Sequence, residues 1–232
     1  MIQFRSGFYA DVRVEDRFRT VISYRAGLLQ EYLVRQETRA FLRVYDGKMW
    51  YYASVTDTEH LQKTLDGLYD AATPNADILS DPVVRRFEVN RADEDRFADC
   101  SVRDIPKEKK DALLRSLLPI LTEDSCATMP YGIYLDRNSR FRFRSSLGAD
   151  ITYTYQTCGV VLGCSMVEGE KKHSAHWSKG AIRFDELEGA ENELRDVMQE
   201  NAAFMRNSVP VEAGVYPAVL SPEAAGVLAH ES

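Results

Sequence analysis

The sequence predicts an α+β fold of largely antiparallel, curved sheets flanked by helices. Three observations carry the prediction. Apolar and polar residues alternate with a period of two through most of the first 55 residues and again over 131–184, the spacing that gives a strand two different faces. Leucines at helical spacing are confined to short stretches between these runs. Turn signals such as Asp46-Gly47 sit between alternating segments. A chain of 232 residues with 44% hydrophobic content can bury a core.

Taken in order, "YADVRVED", "RTVISYRAG" and "LQEYLVRQ" read as strands of a β-meander. "RAFLRVYDGKMWYYASV" reads as a hairpin turning at Asp46-Gly47. A helix follows, with Thr56 as N-cap and Glu59 completing a capping box ahead of Leu61, Leu65, Leu68 and Ala72. These residues, 1–72, form a first α/β subdomain. "TPNADILSDP" is a turn-rich linker into a middle subdomain, 73–207. There a helix opens at Pro106 and carries Leu113, Leu114, Leu117 and Leu118 until Pro119 disturbs its end. Three long strand segments follow, "YGIYLDRNSRFRFRSS", "DITYTYQTCGVVLGCSMVEG" and "KKHSAHWSKGAIRF", with glycines and the "RNS" triplet as turns. A charged helix then spans Asp185 to Met205.

The last segment opens with "VYPAVL", a short buried-strand pattern. Ser221 then caps a helix that begins at Pro222, with Glu223 favourable beside the helix dipole. Ala224, Val227, Leu228 and Glu231 fall on one stripe of that helix, and His230 lies on its flank. A carboxylate set in an apolar stripe is suited to general-base work. The chain closes on His230-Glu231-Ser232, and His-Glu is the dipeptide that opens most helical zinc-protease motifs.

Composition narrows the function. The formal net charge is −7, with both signs interspersed, which argues against a nucleic-acid groove or an anionic membrane surface as partner. No apolar run approaches the ~20 residues of a bilayer span and the first residues lack a signal-peptide core, so the chain reads as soluble and cytoplasmic. Cys100, Cys126, Cys158 and Cys164 contain no CxxC pair and read as reduced, buried thiols. His173 and His176 lie three apart on a strand and face opposite sides, the pattern of a polar rim rather than a shared metal. Trp177 and the tyrosines of "TYTYQ" read as sheet packing, and the arginines of "RFRFR" as a solvated strand face.

Three stretches together resemble the TldD/PmbA family of metalloproteases. Residues from "YADVRVED" to "LYDAA" are similar to the family's opening domain, an A-D-V-R strand leading through a meander to a capped helix. The stretch from "IPKEKKDALLRSLL" to "DELEGAENELRDVMQENAAFM" resembles the middle domain with its long hairpins. "VPVEAGVYPAVLSPEAAGVLAHES" looks like the start of the C-terminal metallopeptidase domain, a strand followed by the helix bearing H-E-x-x-x-H. The family begins with a longer helix than "MIQFRSGF", and here only the first two letters of the metal motif are present.

The resemblance implies that residues 208–232 begin a truncated metallopeptidase domain, with His230 a zinc ligand and Glu231 the base that activates the attacking water. A catalytic zinc needs about three protein ligands, so zinc belongs to the complete protein and none is expected in this chain. His230 and Glu231 imply the catalytic TldD-type subunit, paired with a TldE/PmbA-type partner and acting on unfolded peptides that extend along strand edges. The exposed C-terminal segment could also join copies of this chain. A reading from another class is a non-catalytic peptide-binding or regulatory module acting through protein–protein interaction.

Overall fold

The computed structural model describes residues 2–232. Its strands are β1 (Tyr9–Arg25), β2 (Leu28–Tyr45), β3 (Trp50–Val55), β4 (Arg91–Glu94), β5 (Ala127–Ser145), β6 (Asp150–Glu168) and β7 (Lys171–Ala181). Its helices are α1 (Leu61–Ala71), α2 (Lys107–Leu117), α3 (Glu191–Asn207) and α4 (Pro222–Glu231). The α+β architecture is the one the alternation predicts. All seven strands join one sheet in the order β3-β2-β1-β5-β6-β4, with β7 also paired to β6. Every pairing is antiparallel except that of β4 with β6.

The first third contains fewer and longer strands than the sequence reading expects. "YADVRVED" and "RTVISYR" are one strand, because β1 is paired along its length by β2 on one side and β5 on the other. Its charged middle, Glu15 to Arg19, breaks nothing; the odd positions simply point to a face without helices. The "RNS" triplet is likewise strand rather than turn. Asn138 donates to Gln156 Oε1 at 2.9 Å and Ser139 to Glu15 Oε1 at 2.9 Å, so both side chains bond across the sheet instead of to local backbone.

Other local expectations differ as well. α1 starts at Leu61 without a side-chain cap, because Asp57 accepts from the Glu59 N–H at 3.1 Å and holds His60 at 2.8 Å, replacing the Thr56–Glu59 capping box. β4, "RADE", carries no alternation signal because all four of its residues are exposed and three are charged; backbone pairing alone makes it a strand. "VYPAVL" forms no strand; its six residues are exposed and pair with nothing. Asp46-Gly47 does turn the β2–β3 hairpin, with Gly47 at φ +94° and Asp46 Oδ1 accepting from Lys48 and Met49 N–H at 2.8 Å each. The hairpin turn between β1 and β2, Ala26-Gly27, has both residues at positive φ.

The helices α1, α2 and α3 all pack on one face, the face of the even-numbered residues of β1. At one end α1 sets Leu65 and Tyr69 against Ala10, Val12, Ala40, Leu42 and Val44. At the other, α2 and α3 bring Leu114, Leu117, Leu194 and Met198 onto Ile22, Tyr24, Tyr134, Val160 and Leu162. On the opposite face only Tyr9 and Tyr45 are covered, by Ile78, Val84 and Phe87 of the connection after α1. No helix covers the rest of that face, although Asp11 and Ser139 are buried on it among neighbouring side chains.

Candidate functional site

The two sequence-predicted site residues lie on α4, which Ser221 caps by accepting from the Ala224 N–H at 3.2 Å. His230 and Glu231 are in its last turn. Every residue from Val209 to Ser232 is exposed, so the stripe of Ala224, Val227 and Leu228 packs on nothing and α4 contributes one imidazole without a second ligand beside it. Among the described residues no three His, Cys, Asp or Glu side chains converge to hold a metal ion. Among the described residues His230 by itself does not complete a zinc site.

The other singled-out residues are placed by packing. His173 is half-buried, with its ring Nε2 2.7 Å from Asn201 Oδ1 and its ring 5.3 Å from Phe204, while His176 faces the other side and is exposed. Trp177 is buried and donates from its indole N–H to Glu193 at 3.1 Å. Tyr153 and Tyr155 stand on the open face instead of under the helices, Tyr153 stacked on Phe141 at 4.9 Å. Burial holds the Cys158 thiol up at about 12 and that of Cys164 at about 11, so both stay protonated and inert. No helix among the described residues is long and apolar enough to cross a membrane.

Two polar assemblies escaped the sequence reading. The first lies under α2. Lys110 is buried and donates to Thr20 Oγ1 at 3.0 Å and to the Val102 carbonyl at 2.8 Å, while pairing with Asp136 at 2.6 Å. Asp136 also accepts from the Thr20 N–H and the Tyr134 hydroxyl, each at 2.8 Å. Burial lowers the lysine's pKa while the carboxylate opposes it, and burial next to that carboxylate drives the Tyr134 phenol far above its usual value. Next to it Arg103 spends its fork on Asp16 at 3.0 Å and Asn138 at 2.7 Å, at the wall of a cavity of ≈ 340 Å³. Each member of this network has its partners, so it ties α2 to the sheet and leaves no group free for a substrate. A lysine at i beside Leu114 and Leu117 at i+4 and i+7 was the available signal.

The second assembly is the open face. Register sets its residues in rows across β2, β1 and β5. Phe41, Arg13 and Phe143 form one row; Arg39, Glu15 and Phe141 the next; then Glu37, Arg17 and Ser139; then Arg35, Arg19 and Arg137; then Leu33, Val21 and Leu135. Glu37 is bonded by Arg17 and Arg39 and pairs with Arg35 at 3.0 Å, which holds its carboxyl down at about 2, the Arg17 bond being the largest cause. Arg137 donates to Glu15 at 2.6 Å and lies over the Tyr155 ring at 6.0 Å. On a chain of net charge −7 this face is basic and aromatic.

Residues 10–72 match the family model described as PmbA/TldA metallopeptidase domain 1. The fold is similar to a candidate modulator of a DNA gyrase from Thermotoga maritima, with TM-score 0.69, 15% identity, and coverage of 90% of this chain and 47% of that one. It is similar to a candidate modulator of DNA gyrase from Bacteroides thetaiotaomicron, with TM-score 0.64, 15% identity, and coverage of 85% and 45%. TldE from Thermococcus kodakarensis gives TM-score 0.69 at 10% identity, with coverage of 88% and 46%. At these identities what is shared is the fold. No curated protein matches the chain significantly. The family match over residues 10–72 and the fold shared with TldE both support the TldD/PmbA resemblance read from the sequence. The chain spans about half the length of the solved structures it matches, 45% to 47%.

The arm after α3 gives an expectation of its own. Ser208 closes α3 by donating to the Phe204 carbonyl at 2.8 Å, and Lys171 binds the Arg206 and Ser208 carbonyls from β7. Beyond that point the arm is solvated. Truncation after Ser208 is expected to change unfolding free energy by less than about 0.5 kcal/mol, and to lower any oligomeric order that the apolar arm supports. Loss of folding on truncation, read by circular dichroism and light scattering, would show that the arm belongs to the core.

Proposed function

We propose that this chain is the N-terminal part of a TldD/PmbA-type metallopeptidase, one that in complete form hydrolyses peptide bonds of unfolded polypeptides together with a TldE/PmbA-type partner subunit. The match of residues 10–72 to the first domain of that family is the observation that carries the reading. The fold shared with TldE supports it. In this reading His230 would be one ligand of a metal whose other ligands come from outside residues 2–232, and Glu231 would be the residue placed to act as general base beside it. The chain by itself is then inactive.

Two measurements test the reading. After dialysis against chelator, this chain is expected to retain far less than one zinc per molecule; one tightly held zinc would relocate the site, with His173 and its neighbours the first place to look. In a chain with the length of the solved relatives, Glu231→Gln is expected to lower turnover of an unstructured peptide by at least about 100-fold, the scale of a lost general base, while metal content stays unchanged. Full turnover in that variant rules out the assignment. A second reading, a regulatory module that acts by binding another protein, is favoured by the two similar structures described as candidate modulators of DNA gyrase and by the open basic face. It predicts binding without peptide cleavage at any chain length.

A further inference from the structure

Arg19 stands between two like charges. The β1–β2 register puts Arg35 directly opposite it and the β1–β5 register puts Arg137 on its other side, so three guanidinium groups cross three adjacent strands in one row. Like charges directly opposite on a sheet face repel. The outer two are compensated within the chain, Arg35 by Glu37 at 3.0 Å and Arg137 by Glu15 at 2.6 Å. Arg19 is half-buried and makes no ion pair, and its Nε is buried without a hydrogen-bond partner. The Nε of Arg17, in the next row, is in the same condition. A buried guanidinium N–H left unmet is costly, and here two lie side by side on one open face.

We infer that this row is an oxyanion site that takes the carboxylate side chains of an acidic polypeptide segment lying across β2, β1 and β5. Guanidinium forks bind carboxylates through paired, charge-assisted hydrogen bonds. Val21, Leu33 and Leu135 form the adjoining row, so a residue next to the bound carboxylate meets apolar surface. Glu37 and Glu15, one and two rows away, favour a ligand with spaced charges over the continuous charge of a nucleic-acid backbone, as does the net charge of −7. The inference does not depend on the peptidase reading, since α4 takes no part in it.

Binding of a glutamate-rich decapeptide to the whole chain, followed by fluorescence anisotropy, tests it against inorganic phosphate and a single-stranded oligonucleotide of equal length. The peptide is expected to bind most tightly and to be released by salt. Arg19→Gln is expected to weaken it at least about tenfold, the effect of one lost charged hydrogen bond, and Arg19→Glu to abolish it. Because Arg19 is a source of repulsion in the free protein, Arg19→Gln is also expected to leave the melting temperature unchanged or higher. A lower melting temperature in Arg19→Gln would make the residue structural and overturn the inference. So would peptide binding that survives Arg19→Glu, or tighter binding of the oligonucleotide or of phosphate alone.

Discussion

Lys110→Met is expected to cost about 3–5 kcal/mol of unfolding free energy, the scale found when one partner of a buried ion pair is removed. The side chains of Lys110 and Asp136 are 1% and 0% exposed, so the carboxylate left behind has no solvent to turn to. It keeps the Thr20 N–H and the Tyr134 hydroxyl, two donors of the three that now surround it. The Val102 carbonyl and Thr20 hydroxyl lose their donor in the same step. Methionine retains the length of the lysine stem, which separates the charge effect from a cavity. Against a total stability of about 5–15 kcal/mol such a loss is large. Adding Asp136→Asn should recover part of it, and urea unfolding of the two single variants and the double variant gives the coupling. A loss below about 1 kcal/mol for Lys110→Met would show that the pair does not hold α2 to the sheet.

Leu65→Ala is expected to cost about 2–5 kcal/mol, as for other fully buried leucines, and to lower the stability of both ends of the sheet together. Leu65 is 0% exposed and belongs to the cluster under α1, far along β1 from the cluster under α2 and α3. The two ends share β1, which is paired without interruption to β5 from Asp11 to Arg25. Each end also contains one of the two tryptophans, Trp50 stacked on Tyr45 and Trp177 buried near α3. Single-tryptophan variants, Trp50→Phe and Trp177→Phe, therefore report each end separately. Coincident denaturation curves are the expected result, shifted equally by Leu65→Ala. Two separated transitions would mean that the segment 1–72 unfolds by itself.

The sequence was most readable where one physical signal acted alone. Alternation marked the long strands, and Ser221 with Pro222 marked the start of α4, because neither depends on distant neighbours. Strand ends were less readable. Whether Glu15 to Arg19 or the "RNS" triplet turns the chain is decided by partners more than 100 residues away, such as Glu15 for Ser139. "VYPAVL" shows the converse, an apolar run that stays coil because no strand pairs with it. Of the site residues, His230 and Glu231 could be named from their order in the chain, yet the fold brings no second ligand to them. The row of Arg35, Arg19 and Arg137 could not be named, since only strand register makes neighbours of residues from three strands.

The double pairing of β1 also orders events during synthesis. β1, β2, β3 and α1 leave the ribosome first and can pair among themselves at once. The second edge of β1 must wait for β5, and the 90 residues from Val55 to Ser145 take about 5–20 s to translate. For that interval a 17-residue strand carries an unsatisfied backbone edge. Five arginines, Arg13, Arg17, Arg19 and Arg25 within β1 and Arg5 before it, lie along or beside this nascent edge. With Asp11, Glu15 and Asp16 they keep the strand densely charged, and charged side chains on a bare edge oppose the edge-to-edge association to which it is otherwise prone.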